Sequence, residues 1–264
     1  MEKETPFESM CKDLRDVGNT CKSHLINSPV YQVIAINTAI FSTWYVGRWY
    51  PEWHNKGVDN WFTKHFGQSP KALAQGRLHT MITNGFTHRG GLHFLFNMVA
   101  FHSFATSFCD PNLRAKALQD LKPPKSFDKT ELAPKKTVVD HTKEFWTFYL
   151  GSIFAGNLVS TVQRSFIPRD KRVAIGASSG VVGLAVFHSM MHPNSEGCLI
   201  FLPTTNFYMQ NIVSGLFVVD VTFMMLPFFF KKFLSPIDHG AHVGGACVGY
   251  LYSKYLIHCD STKC

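Results

Sequence analysis

Residues 175–185 read IGASSGVVGLA, two adjacent serines among small residues, inside an apolar run (174–191) that holds no Asp, Glu, Lys or Arg. Gly176 and Gly180 are one helical turn apart, and Gly183 falls on nearly the same face. In a membrane, water does not drive helices together, and small residues let two backbones approach closely. A serine on such a surface meets whatever the neighbouring helix presents. The candidate neighbour lies about sixty residues further on, where 239–249 read HGAHVGGACVG. Gly240/Gly244 and Gly245/Gly249 repeat the four-residue spacing. One run offers a nucleophile, the other a base.

The rest of the chain supports a membrane setting. Of 264 residues only 17% are charged and 14% are aromatic, and the charges crowd into a few stretches. A transmembrane helix needs about 20 mostly apolar residues, and six stretches qualify: 30–47, 92–108, 145–162, 174–191, 207–230 and 237–256. A net charge of +8 could point to nucleic acid. Here the Lys and Arg lie between apolar spans, where they flank a membrane protein, so a nucleic-acid partner is rejected. The seven cysteines, Cys11, Cys21, Cys109, Cys198, Cys247, Cys259 and Cys264, are odd in number and form no CxxC pair. They give no disulfide framework and no zinc site.

Taken in order, residues 1–28 are polar, with no signal-peptide core and too many acidic groups for a transit peptide. Trp44, Tyr45, Trp49 and Tyr50 end the first span like an interfacial aromatic belt. In the wet loop 51–81, Trp53, Trp61, Phe62 and Phe66 suit either the membrane surface or packing against the helices. Residues 109–143, with Pro111, Pro123, Pro124 and Pro134, read as a long basic loop insertion outside the membrane. Gly151 and Gly156 are expected contact points in the third span. Residues 199–203 read as a short extended piece, Asp220 sits mid-span in the fifth, and Lys254 can snorkel. The expected fold is an all-α membrane protein: a polar segment 1–28, a six-helix membrane domain 29–258 and a short tail 259–264.

Ionisable groups inside a membrane are costly and usually functional, which directs attention to His93, Asp220 and His242. The plain alternative is that each ties two helices together by a hydrogen bond. The combination favours chemistry. Serine is a weak nucleophile until a base, most often neutral His, takes its proton. Attack on a peptide bond also needs donors aimed at the developing oxyanion. His93 and Asn97, four apart, share one helix face and can supply two, with the Ser178 backbone N–H a third. There is no HExxH and no Gly-x-Gly-Asp beside Asp220. His239 and His242 could hold a metal, but no third ligand is evident, so no metal or cofactor is expected.

At this point a family resemblance enters. GASSGVVGL (176–184) resembles the GxSx signature of rhomboid intramembrane serine proteases. THRGGLHFLFNM (87–98) resembles the family's HxxxxHxxxN element, and DHGAHVGGA (238–246) its last-helix AHxxG element. The last motif, Phe201-Leu202-Pro203 and Asp220 look closest to the mitochondrial, presenilin-associated rhomboid-like branch. The resemblance implies a six-transmembrane-helix bundle with an active site buried within the membrane. It implies a Ser–His dyad, without a required carboxylate, cutting the transmembrane segments of membrane-protein substrates in the lipid bilayer. Ser178 would be nucleophile and His242 base. His93, Asn97 and the Ser178 amide would stabilise the oxyanion, with Gly176 and His88 in support. Asp238 could orient His242, although a solvated helix-start carboxylate is the simpler expectation.

Two departures stand out. The residue after the nucleophile is usually Gly in the family, and here it is Ser179. Ser179 as nucleophile would restore that Gly but put Ala177 where the family has Gly; the gap-free alignment keeps Gly176 and Gly183 in register and favours Ser178. The mitochondrial branch also carries a transit peptide and a helix before the core, and neither is visible, so a shortened isoform or a protein of another membrane are both open beside the mitochondrial inner membrane. The other reading is a rhomboid-like pseudoprotease that binds membrane clients without cutting them.

Overall fold

The computed structural model describes residues 28–49, 57–121, 141–167, 170–199, 202–230 and 235–258. These are mostly helical: α1 (Pro29–Trp49), α2 (Gly57–Phe66), α3 (Pro70–Ala74), α4 (Thr80–Thr83), α5 (Gly91–Cys109), α6 (Pro111–Leu121), α7 (His141–Ser165), α8 (Ser178–Met191), α9 (Met209–Phe229) and α10 (His239–His258). Among the described residues, α5 and α9 are long and apolar enough to cross a membrane, and both are mostly exposed. Helix α7 is less apolar because its polar residues face other helices: Ser152, Asn157 and Ser160 are fully buried.

The mostly helical architecture carries one β element among the described residues. Strands β1 (Glu196–Leu199) and β2 (Leu202–Tyr208) form an antiparallel hairpin pairing Glu196 with Tyr208 and Cys198 with Asn206. The extended piece expected at 199–203 is thus part of a hairpin, and the span expected from 207 begins as helix only at Met209. The insertion 109–143 is likewise not all loop. The Asp110 carboxylate caps α6 by accepting the Asn112 and Leu113 N–H groups at 2.8 and 3.2 Å, satisfying donors a helix start leaves free. Arg114 on α6 then clasps Glu144 of α7 through two bonds of 2.8 Å. Residues 122–140 lie outside the described residues, as do 1–27.

Trp44 does not face lipid. It is 2% exposed, its Nε1 donates to Asp59 at 2.7 Å, and it stacks on Phe62 at 5.0 Å. Phe62 therefore packs against the helices, while Trp61 is exposed; Tyr50 and Trp53 lie outside the described residues. Gly151 is no contact point, since a Cβ there would meet nothing within 4 Å. The core lies between α5, α7 and α8, where Phe101, Phe108, Phe145, Tyr149 and Phe187 interlock at ring separations of 4.6–6.1 Å.

What positions the site is the close approach of α7, α8 and α10. A Cβ on Gly156 would come within 2.6 Å of both the Ala241 carbonyl and the Ser179 Cβ. One on Gly244 would reach 2.5 Å from the Ala155 carbonyl, and one on Gly245 would collide with the carbonyl of Ser179. Backbone thus touches backbone at the level of the two serines, the small-residue packing that membrane helices favour.

Candidate active site

Ser178 is the first residue of α8, so its backbone N–H and those just after it lack an intrahelical acceptor. The strand-like approach to it is pinned from two sides. Gln68 and Ala174 exchange backbone bonds of 3.0 and 2.8 Å, and the Gly176 N–H donates to the Asn84 carbonyl at 3.0 Å. Asn84 is in turn locked to α7 by reciprocal amide bonds with Asn157, 2.8 and 2.7 Å. The Ala177 N–H faces His88 Nε2 at 3.4 Å. His88 is 1% exposed. Burial first, and the nearby His93 second, push its pKa down to about 3, so the ring is neutral and can accept.

The Ser178 hydroxyl lies 3.0 Å from His242 Nε2. His242 Nδ1 lies 3.0 and 3.2 Å from the two oxygens of Asp220. A carboxylate only accepts, so Nδ1 carries the proton, and the neutral ring leaves Nε2 free to accept from Ser178. Three helices thus bring a hydroxyl, an imidazole and a carboxylate into one line. Asp220 is 8% exposed and also meets His239 Nδ1 at 2.6 Å, whose Nε2 contacts the Ser235 hydroxyl at 2.8 Å.

Ser179 points elsewhere. It is 3% exposed and packs against Gly156 and Gly245. Ser178 instead lines a cavity of about 590 Å³ together with Arg89, His93, Asn97, Asp238 and His242. His93 lies against Gly176, and Asn97 donates one amide hydrogen to the His93 carbonyl at 2.8 Å. The other amide hydrogen is the one a ligand in the cavity can use.

Asp238 is neither a solvated carboxylate nor the group that orients His242. It accepts from Arg164 at 2.9 Å and from Ser160 at 2.7 Å, and the Arg164 side chain is 3% exposed. Nearby, burial raises the Asp170 carboxyl, but hydrogen bonds and charge from Arg172 outweigh it and leave it below its ordinary value. Sequence reasoning singled out Asp220 but did not find its partners. The available signal was a carboxylate in an apolar span, which must be paired.

Gly176 has a local role that geometry alone defines. Its φ is +137°, a region that L side chains rarely adopt, and a Cβ would sit 2.7 Å from His93 Cε1. Gly176→Ala is expected to cost about 1–3 kcal/mol in strain and to lower the melting temperature in detergent. Gly151→Ala, in open space within α7, is expected to raise it slightly, by the helix propensity of Ala over Gly, about 1 kcal/mol. Equal melting of the two variants would contradict this reading.

Sequence comparison gives the site a context. The rhomboid domain family matches residues 135–259, which include Ser178, Asp220 and His242. Over 74 residues, 28% of this chain and 20% of the relative, the sequence is 36% identical to rhomboid-like protein 16, chloroplastic, of Arabidopsis thaliana. Over 84% of this chain it is 22% identical to presenilin-associated rhomboid-like protein A, mitochondrial, of Danio rerio. The rat protein, presenilin-associated rhomboid-like protein, mitochondrial, is 24% identical over the same share. The chain spans about half the length of these last two relatives, 46% and 47%. A rhomboid domain thus surrounds the serine and the histidine, and along most of its length the chain is similar to proteins of the presenilin-associated rhomboid-like branch.

Proposed function

We propose that this protein is an intramembrane serine endopeptidase that cuts the transmembrane segments of membrane proteins. The observation that carries the reading is the 3.0 Å contact between Ser178 Oγ and His242 Nε2, at the wall of a cavity large enough for an extended peptide segment. Residues 29–258 would form a six-helix membrane bundle with this site within the bilayer. The mitochondrial names of the relatives that match most of the chain favour a mitochondrial membrane. The substrates are membrane proteins with one helix able to unwind into the cavity.

In the first step His242 Nε2 takes the Ser178 proton as Oγ attacks the scissile carbonyl carbon. Asp220 holds the Nδ1 proton and stabilises the imidazolium that forms. The carbonyl oxygen becomes an oxyanion near the open end of α8, where the Ser178 N–H is free and the helix dipole is positive. The free Asn97 amide hydrogen and the His93 ring are the side-chain donors. His242 then protonates the leaving amine, and water, activated by the same ring, releases the acyl group from Ser178.

The reading is tested with a fluorophosphonate probe on purified protein beside cleavage of a transmembrane substrate. Labelling with cleavage supports a protease. Labelling without cleavage of any transmembrane substrate, or no labelling of folded protein, indicates a client-binding pseudoprotease. Asn97→Ala separates transition-state stabilisation from helix packing. Loss of one oxyanion donor costs about 10²–10³ in rate, so turnover should drop by that order while the melting curve holds. A variant that melts early yet cleaves at the wild-type rate while folded would make Asn97 a purely structural residue.

A further inference from the structure

Asp220, His239 and His242 form a second arrangement of chemical interest, which shares Asp220 and His242 with the proton relay and adds His239. Their ligand atoms (one carboxylate oxygen and two imidazole nitrogens) all lie within 4.8 Å of one another. The closest pairs are Asp220 Oδ1 with His239 Nδ1 at 2.6 Å and with His242 Nδ1 at 3.0 Å. In a tetrahedral zinc site with bonds of about 2.0–2.1 Å, neighbouring ligand atoms stand about 3.3 Å apart. The three donors are therefore already clustered to roughly that scale, with shifts of about an ångström to accommodate an ion. The far nitrogens are also held, His239 Nε2 by Ser235 and His242 Nε2 by Ser178, the outer hydrogen bonds that fix ring orientation at metal sites.

We propose that this trio is an inhibitory site for a divalent transition metal, zinc being the fitting ion, and that occupancy switches the catalytic pair off. Two imidazoles and one carboxylate suit zinc and its neighbours, whereas magnesium and calcium favour all-oxygen ligands. His242 lines the cavity and its side chain is 17% exposed, which gives the ion a way in and leaves a position for water.

The chemistry of inhibition follows from proton placement. In the metal-free site both Nδ1 atoms carry protons facing Asp220. The metal needs both Nδ1 lone pairs, so those two protons leave, and each neutral ring takes one proton at Nε2. Proton count and ring charge are unchanged. His242 Nε2 now bears hydrogen and points it at Ser178 Oγ, so it has no lone pair with which to remove the serine proton. The nucleophile is disarmed without being moved. This switch rests on the protease reading given above; the binding itself does not.

The test separates the two. Zinc binding is measured by equilibrium dialysis on Ser178→Ala protein, which keeps all three ligands and needs no activity. One zinc bound per chain, with affinity weakened at least about tenfold in Ser178→Ala/His239→Gln, is the expected result. No zinc bound by Ser178→Ala, or equal binding in both variants, overturns the site; a melting curve verifies that both are folded. Turnover of the otherwise unaltered protein should then fall at least about tenfold at saturating zinc and recover on adding a chelator. His239→Gln should need at least about tenfold more zinc for the same fractional inhibition, each protein being compared with its own zinc-free rate. If zinc binds at one per chain but turnover persists, the site exists and the switch does not. If Ser178→Ala binds zinc while metal-free wild-type protein cleaves nothing, the protease reading fails and the metal site stands.

Discussion

Ser178→Ala should abolish cleavage and fluorophosphonate labelling together, whereas Ser179→Ala should keep turnover within about tenfold of wild type. The two serines are adjacent and chemically identical, so only geometry separates them. The Ser178 hydroxyl is 3.0 Å from His242 Nε2 and lines the cavity. Ser179 is buried against Gly156 and Gly245, and among the described residues its hydroxyl has no hydrogen bond to a base. Losing a serine nucleophile of this kind costs on the order of 10⁶ in kcat, which in a slow enzyme means no signal above background. Losing Ser179 removes a small packed group, typically worth about 1 kcal/mol of stability. Each preparation needs a melting curve, because α8 meets α10 at Ser179 and a loosened contact would mimic a catalytic defect. Turnover lost in folded Ser179→Ala and retained in Ser178→Ala would move the nucleophile by one residue.

The second large effect concerns His242. His242→Ala should fall as far as Ser178→Ala, and the double variant should be no worse than either alone, because the two groups act as one unit. Asp220→Asn is the finer experiment. An amide in place of the carboxylate no longer demands a proton on Nδ1 of His242, so the tautomer with Nε2 protonated becomes accessible and the base is lost part of the time. Replacing the orienting carboxylate of such an arrangement can cost up to about 10⁴ in kcat; here about 10² or more is expected. Asp220 touches the base rather than the substrate, so KM should stay within about threefold. A fall confined to KM, or one that merely follows loss of folded protein, would make Asp220 a helix tie and return the site to a two-residue dyad.

How much of this could be read in the sequence depended on what kind of contact was involved. Small-residue spacing announces itself, and the runs around Gly180 and Gly244 do form the tight surface between α7, α8 and α10. Asp220 was visible as a buried charge, but its partners were not. Helix α9 is apolar nearly all round, so periodicity cannot say which way residue 220 points, and a change of 100° in helix phase would send it elsewhere. Asp238 at a helix start looked solvated because Arg164, its partner, is seventy-four residues away in the chain. Trp44 was read as interfacial by its place at a span end, yet Asp59 on the next helix turns it inward. Helix α6 was legible and overlooked: Asp110 before Pro111, followed by NLRAKALQDL, is a capped helix start, obscured by grouping it with the prolines further on.

The contact between Gly245 and the Ser179 carbonyl sets how this protein can drift over evolutionary time. Most core contacts involve side chains, and an enlarged residue on one side can be offset by a trimmed one opposite. Here neither partner has anything to trim, since the opposing surface is a peptide carbonyl. Any residue larger than Gly at 245 must push α10 off α8, and the helix that moves carries His242 while the one left behind carries Ser178. No single compensating substitution can restore the distance, so lineages that lose this glycine should lose the paired hydroxyl and imidazole soon after, and keep the fold for another use.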